Sequence, residues 1–252
     1  MPLQARNLML FNFAICCSAA LAANCFGKPW ELSQFQQELS QLNSSSPVEP
    51  SGAKSPGRIS LSTGIETVSL HQGHASNLHI FPQDGKINKN FVYWSQGLFY
   101  PVSYGISFAT VTSALNNNND KSINQLSADV KWTVFESFGL PAISTFIQWS
   151  KSYGLNNYDL QSNTANIQAS WGYRRLSFFS GLNIHQHVLK SKENIQANEE
   201  NTLLNPEGEK FINLSTQVGA HLQLIPAKLA ISIENAKTSF SNLFRAKLAY
   251  EF

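Results

Sequence analysis

Two histidines separated by a single residue, His185 and His187, form the sharpest chemical pattern in the sequence. They lie in RRLSFFSGLNIHQHV, where apolar and polar residues alternate as in a β-strand. Side chains two residues apart on a strand point to the same side, so the pair suits a shared metal ion or an acid and base pair. The alternative is two histidines at a polar rim without a ligand. His221 belongs to another strand and, at ~3.3 Å per residue, lies too far away to complete one site.

Charged residues of both signs occupy the polar faces of the predicted strands and form a second group of candidates. They are Asp129, Lys131, Arg175, Lys228, Glu234, Arg245, Lys247 and Glu251. If these faces enclose a common interior, two interpretations remain open. Either the charges pair and fill the interior, or they line a narrow aqueous pore that favours anions through its basic residues.

The strands that would carry these side chains are predicted by alternation with a period of two from Arg58 onward. RISLSTGIET places Ile59, Leu61 and Ile65 on one face, and similar runs recur to the end of the chain. This pattern is typical of antiparallel sheets buried on one side. Charged residues make up 13% of the chain and aromatic residues 12%, which suits strands with one apolar and one uncharged polar face. The net charge of +2 gives no indication of nucleic-acid binding.

The connections between the predicted strands alternate in length. FGLP, GYRR and LIPA are short, whereas the intervening links, such as NNNNDK and YGLNNYD, are polar and in one case very long. Short turns at one end and long loops at the other are typical of a transmembrane β-barrel. We therefore predict an all-β fold, an up-and-down antiparallel barrel of about ten strands over residues 57–252. Eight strands is the alternative if Arg58 to Leu70 and Asn88 to Gln96 lie outside the barrel.

The first 56 residues differ in character. A signal peptide is predicted over residues 1–22 from Arg6, the apolar run Leu8 to Leu21 and an A-x-A cleavage site. Its cleavage would remove Cys16 and Cys17 from the mature chain. Residues 23–56 would form a periplasmic leader with a short amphipathic helix and a Ser/Pro linker, either weakly ordered or acting as a docking helix or plug. With Cys25 alone remaining, we expect no internal disulfide, no cysteine metal site and no cofactor.

The last residues, FRAKLAYEF, resemble the C-terminal assembly signal of bacterial outer-membrane β-barrel proteins, through Leu248, Tyr250 and Phe252. The resemblance implies localisation in the outer membrane. It also implies contact with outer-membrane lipid and lipopolysaccharide, and recognition by the barrel-insertion machinery during assembly. It leaves the oligomeric state undetermined.

Function is predicted to be structural or surface-binding, through the long loops Lys190 to Lys210 and His71 to Ile87. A small porin-like channel is the alternative, and an enzyme at the membrane rim is the third possibility. We do not expect an enzyme, because no serine lies two residues from either His185 or His187 on the same strand face. A serine from a neighbouring strand is the arrangement that this pattern leaves open.

Overall fold

Ten antiparallel strands form one closed barrel in the computed structural model. The structure describes residues 52, 54–70, 86–111, 123–137, 139–155, 158–191, 209–226, 228–238 and 241–252. The strands are β1 (Ile59–Leu70), β2 (Lys86–Phe99), β3 (Val102–Val111), β4 (Ile123–Phe135), β5 (Ala142–Tyr153), β6 (Tyr158–Tyr173), β7 (Leu176–Ser191), β8 (Glu209–Ile225), β9 (Leu229–Lys237) and β10 (Ser241–Glu251).

The barrel closes where the first strand meets the last. Each strand pairs with its neighbours in sequence, and β1 pairs along its length with β10, with Leu61 opposite Tyr250 and Ile65 opposite Ala246. The prediction of ten strands is confirmed, because β1 and β2 are full members of the ring. In lipid this closure is obligatory, since an open edge would leave backbone N–H and C=O groups without partners.

The two ends of the barrel differ as the sequence predicts. Residues 100–101, 136–141, 174–175 and 226–228 connect strands at one end, and the three longest links, 71–85, 112–122 and 192–208, lie at the other end together with the short links 154–157 and 238–240. We call these the periplasmic and extracellular ends, following the usual arrangement of such barrels. The predicted signal peptide and leader helix lie outside the described residues. Within the described part of the chain, no helix is long and apolar enough to span a bilayer.

The outer surface of the barrel is apolar over its periplasmic and central parts. Ile147 is 67% exposed and Ile167 is 65% exposed, and aromatic residues such as Trp132 and Tyr250 are about half exposed on the same surface. A water-soluble barrel would bury such residues, whereas lipid solvates them. The lumen-facing side chains between them are polar and buried, so the polarity of a soluble protein is inverted here.

Near the extracellular end the polarity reverses again. Many outward residues there are polar, among them Lys86, Asn88, Gln186, Lys190 and Lys210. Many inward residues there are apolar and at most 6% exposed, with the buried hydroxyls of Ser152 and Ser241 at the same end, and we call the apolar ones the outer apolar layer: Val68, Ile87, Val111, Ile123, Leu160, Leu189, Phe211 and Leu243. Strands β6, β7 and β8 have 16, 16 and 17 residues, more than the ~9–11 needed to cross the bilayer. The wall formed by β6, β7 and β8 therefore extends beyond the membrane at this end.

Candidate functional site

A buried ionic cluster lies in the lumen at the strands that close the barrel. Glu66 on β1 accepts hydrogen bonds from Lys89 Nζ at 2.7 Å on one side and from Arg245 Nε at 3.0 Å on the other. Arg245 Nη2 also contacts Glu66 Oε2, and Arg245 Nη1 lies 3.6 Å from Glu234 Oε2. All four side chains are at most 3% exposed. The Glu66 carboxylate thus connects β2, β1 and β10, and Arg245 extends the cluster to Glu234 on β9.

Neighbouring side chains extend this charged region around the lumen. Lys247 Nζ lies 5.5 Å from the ring centroid of Tyr93, and the Tyr93 hydroxyl donates to Asp129 Oδ1 at 3.2 Å. The last bond joins β2 to β4 across β3, where Gly105 leaves room for it. A Cβ at Gly105 would lie 2.3 Å from the Tyr93 hydroxyl oxygen. Glycine at this position therefore allows a bond between strands that are not adjacent.

The opposite wall, formed by β5 to β8, is filled by neutral amides and hydroxyls. Asn166 donates to Asn183 at 2.6 Å, and Asn183 donates to Gln217 Oε1 at 3.0 Å. Gln217 in turn donates to Gln168 at 2.8 Å. Among the lumen-facing side chains that the structure describes on these four strands, none is Asp, Glu, Lys or Arg. The lumen therefore has a charged wall and an uncharged wall.

His185 is held in the neutral wall by hydroxyl groups on both neighbouring strands. Its Nδ1 lies 2.9 Å from Thr164 Oγ1, and its Nε2 lies 2.9 Å from Ser215 Oγ. The sequence analysis left open a serine on a neighbouring strand, and Ser215 on β8 is such a serine. The distance between Ser215 Oγ and His185 Nε2 is that expected of a nucleophile and its general base. However, His185 is 0% exposed and Ser215 is 5% exposed, so the pair faces a packed lumen.

His187 lies beside His185 in a less polar environment. Their ring centroids are 6.0 Å apart, and the ring of His187 stacks on Phe211 at 4.9 Å. His187 is fully buried, and neither ring nitrogen has a hydrogen-bond partner. A metal ion shared by His185 and His187 is disfavoured, because it would have to displace Thr164 or Ser215 from a ring nitrogen of His185. Within the described residues, no three His, Cys, Asp or Glu side chains group as a metal site.

The remaining predicted site residues divide between lumen and rim. Asp129, Lys131, Glu234, Arg245 and Lys247 are buried in the lumen as predicted. The assignment of Arg175 and Lys228 to the interior is wrong, since both lie in periplasmic turns with exposed side chains. The alternation ends where each strand ends, so it no longer applies to these turn residues. Glu251 lies at the mouth and pairs with Arg58 at 2.8 Å, and His221 bonds Ser232 at 2.8 Å, away from the other histidines.

Three members of the charged region were missed by the sequence analysis: Glu66, Lys89 and Tyr93. Each is buried in the lumen, with exposures of 2%, 1% and 5%. Glu66 follows from the alternation already noted in β1, because Leu61 and Ile65 face outward and Glu66 therefore faces inward. Lys89 and Tyr93 follow from the same alternation in β2, where nearly every second side chain is buried.

The chain is similar to several solved structures at low sequence identity. The chain matches no protein-family model and no curated protein sequence. Solved structures similar to it include Ail, the attachment invasion locus protein of Yersinia pestis, at 13% identity, a TM-score of 0.32 and coverage of 78% of this chain and 99% of that one. The outer membrane protease OmpT of Escherichia coli has 8% identity, a TM-score of 0.37 and coverage of 78% and 96%. LpxR of Salmonella typhimurium has 8% identity, a TM-score of 0.39 and coverage of 77% of this chain and 99% of that one.

At these identities and scores no role passes from those proteins to this chain, and its class follows from its own structure. The chain forms a closed antiparallel barrel with an apolar outer surface and a polar lumen, and its three longest connections lie at one end. This combination is that of a protein dissolved in lipid whose backbone is fully paired around the ring. The structure is therefore that of a transmembrane antiparallel β-barrel.

Replacing Glu66 by Gln should strongly destabilise the barrel. The substitution preserves shape but leaves Lys89 and Arg245 buried without their shared carboxylate, a loss of about 3–5 kcal/mol in the free energy of unfolding. The measurement is urea unfolding of the protein in lipid vesicles. Glu251→Gln is the matched control, because the half-exposed pair with Arg58 is expected to contribute at most ~1 kcal/mol. Equal losses in the two variants would contradict a central role for Glu66.

The two histidines should respond in opposite ways to replacement by phenylalanine. His185→Phe removes the partners of two buried hydroxyls and should cost about 1–3 kcal/mol. His187→Phe removes two unpartnered nitrogens beside Phe211 and should be neutral or stabilising. Thermal melts with and without zinc test both statements, and zinc should not raise the melting temperature of the unsubstituted protein. A zinc-dependent rise that either substitution abolishes would instead establish a metal site.

Proposed function

We propose that this protein is a non-conducting outer-membrane barrel with a structural or surface-binding role, exerted through its extracellular end. The observation that carries the proposal is the outer apolar layer, which lies across the lumen just below the long connections. Val68, Ile87, Leu160 and Leu189 within it are each at most 1% exposed. An ion passing this layer would have to lose its hydration among aliphatic side chains, which offer no replacement for water.

The polar part of the lumen also supports a closed barrel. Its side chains bond to one another from strand to strand, and the central ones are buried, with Asn183 at 1% and Gln217 at 1% exposure. Barrels of about eight strands have interiors that side chains just fill, and ten strands widen this only slightly. The ionic cluster pairs the basic residue Arg245, which would otherwise attract anions into a pore. A porin-like channel is therefore the less favoured function.

An enzyme is less favoured as well, although Ser215 and His185 have a suitable separation. A nucleophile must be reached by its substrate, and this pair lies in the packed lumen rather than at the lipid-facing rim. Asn183 Nδ2 donates to Ser215 Oγ at 3.0 Å, which adds to a network that satisfies buried polar groups. This arrangement supports a structural role for both residues.

The extracellular extension supports a surface-binding role. Strands β6, β7 and β8 carry the barrel wall beyond the apolar belt, where outward polar residues such as Gln186 and Lys190 are exposed. This rigid wall presents residues 192–208, which lie outside the described residues. The exposed lysines Lys190 and Lys210 suit anionic partners, so we propose lipopolysaccharide or the surface of a partner cell as the bound surface.

The lumen proposal is tested by conductance. The full-length protein, purified as the heat-modifiable folded form, should give no stable conductance in planar bilayers. The triple variant Leu160→Ser, Leu189→Ser, Phe211→Ser replaces part of the outer apolar layer and is the informative comparison, since it should leak if that layer is the barrier. Stable channels from the unsubstituted protein would favour the porin-like function instead.

Surface binding is tested by shortening one loop. Replacing residues 192–208 by a short glycine-containing turn should leave the barrel folded, because Leu189 and Glu209 already pair across the hairpin. Binding to purified lipopolysaccharide and adhesion of cells displaying the protein should both fall to background. The matched control replaces residues 112–122 in the same way. If the shortened 192–208 variant retains binding and adhesion, the proposed role of this loop is wrong.

A further inference from the structure

The residues just before β1 cross the periplasmic mouth of the barrel, and we call residues 52 and 54–57 the strap. The crossing begins at β2. Gly57 N donates to Gly97 O at 2.9 Å, and Gly97 N donates to Arg58 O at 3.0 Å. These two bonds fasten the chain to the wall of the lumen at the end of β2, where the β2–β3 register also shifts after Gly97.

Gly97 also makes room for the strap. A Cβ at this position would lie 2.2 Å from the carbonyl oxygen of Ser55 and 3.0 Å from that of Lys54. Backbone atoms at such distances cannot be accommodated without displacing one of the two segments. The absence of a side chain at Gly97 is therefore a condition for the strap to lie where it does.

The strap then reaches β4 on the far side of β3. Lys54 Nζ donates to Ser95 Oγ at 2.6 Å inside the lumen, and Lys131 Nζ donates to the carbonyl oxygen of Gly52 at 3.2 Å. The strand registers place Gly97 opposite Ser103, and Ser103 opposite Lys131. Gly97, Ser103 and Lys131 thus form a row across β2, β3 and β4. The strap contacts Gly97 and Lys131, the two ends of this row, and so passes beneath Ser103. Ser103 is only 3% exposed although it lies next to the periplasmic turn.

We propose that the strap is a latch that closes the periplasmic mouth of the lumen on the β2–β4 side. The hydrogen bonds that hold it lie outside the ten strand pairings, and residues 55–57 are exposed, so it can open without disturbing the strands. The outer apolar layer is part of the folded wall and has no such freedom. Opening of the latch would expose the polar lumen to periplasmic water and small solutes only, whatever the extracellular end binds.

The latch is tested by the accessibility of Ser103→Cys in the full-length protein with Cys16, Cys17 and Cys25 replaced. Reaction with N-ethylmaleimide should be slow in this background. Gly97→Ala should displace the strap and raise the reaction rate about tenfold, the factor expected when a net hydrogen bond or two is lost. Deletion of residues 24–56 removes the strap without altering the wall and should raise the rate at least as much.

Ala230→Cys is the control reporter, since Ala230 is 5% exposed at the periplasmic end of β9, across the lumen from β3. Its reaction rate should not change in either variant. Heat-modifiable migration on gels confirms that each variant is folded before labelling. An unchanged rate at Ser103→Cys after deletion of residues 24–56 would overturn the latch, and so would an equal increase at both reporters.

Discussion

Closure of the barrel between β1 and β10 is the constraint on which the rest of the structure depends. In lipid, every backbone polar group must be paired, so the ring is stable only when complete. Completion also brings Glu66 on β1 beside Arg245 on β10. Before closure, Glu66 would have only Lys89 on β2 and Arg245 would have only Glu234 on β9, so the cluster is completed when the two strands meet. Backbone pairing and charge pairing therefore favour the same final step, which makes closure cooperative.

The lumen follows from the same constraint, because a closed ring with an apolar exterior must place its polar residues inside. Charges are concentrated on β1, β2, β4, β9 and β10, near the closing strands, where Glu66 can serve two cations. The wall opposite uses amides, which both donate and accept and can therefore form continuous chains such as Asn166, Asn183 and Gln217. On the charged side, Gly105 leaves room for the hydrogen bond from Tyr93 on β2 to Asp129 on β4, so the network also joins strands that are not adjacent.

Much of this architecture could be predicted from residue order, and the failures have identifiable causes. Alternation predicts the strands and a polar inner face, but it left ten and eight strands open, and the pairing of β1 with β10 decides for ten. Alternation fails at Arg175 and Lys228, because it does not say where a strand ends. The pairing of His185 with Ser215 needs the register between β7 and β8, which depends on the hairpin rather than on either strand. In the outer apolar layer, polar and apolar residues still alternate, but the apolar ones face inward. The period of the pattern is unchanged there, so it does not reveal the layer.

In the proposed closed barrel, the two ends of the lumen differ in the interactions that would hold them shut. At the extracellular end these are contacts among the outer apolar layer, including Leu189 and Phe211, which belong to the strands and are lost only when the wall itself deforms. At the periplasmic end they are the hydrogen bonds of the strap, whose rupture would leave the ten strand pairings intact. The proposed latch would therefore move on the periplasmic side while the extracellular support stays rigid. Such a support suits recognition of an external surface better than passage of a solute, because passage requires both ends to open.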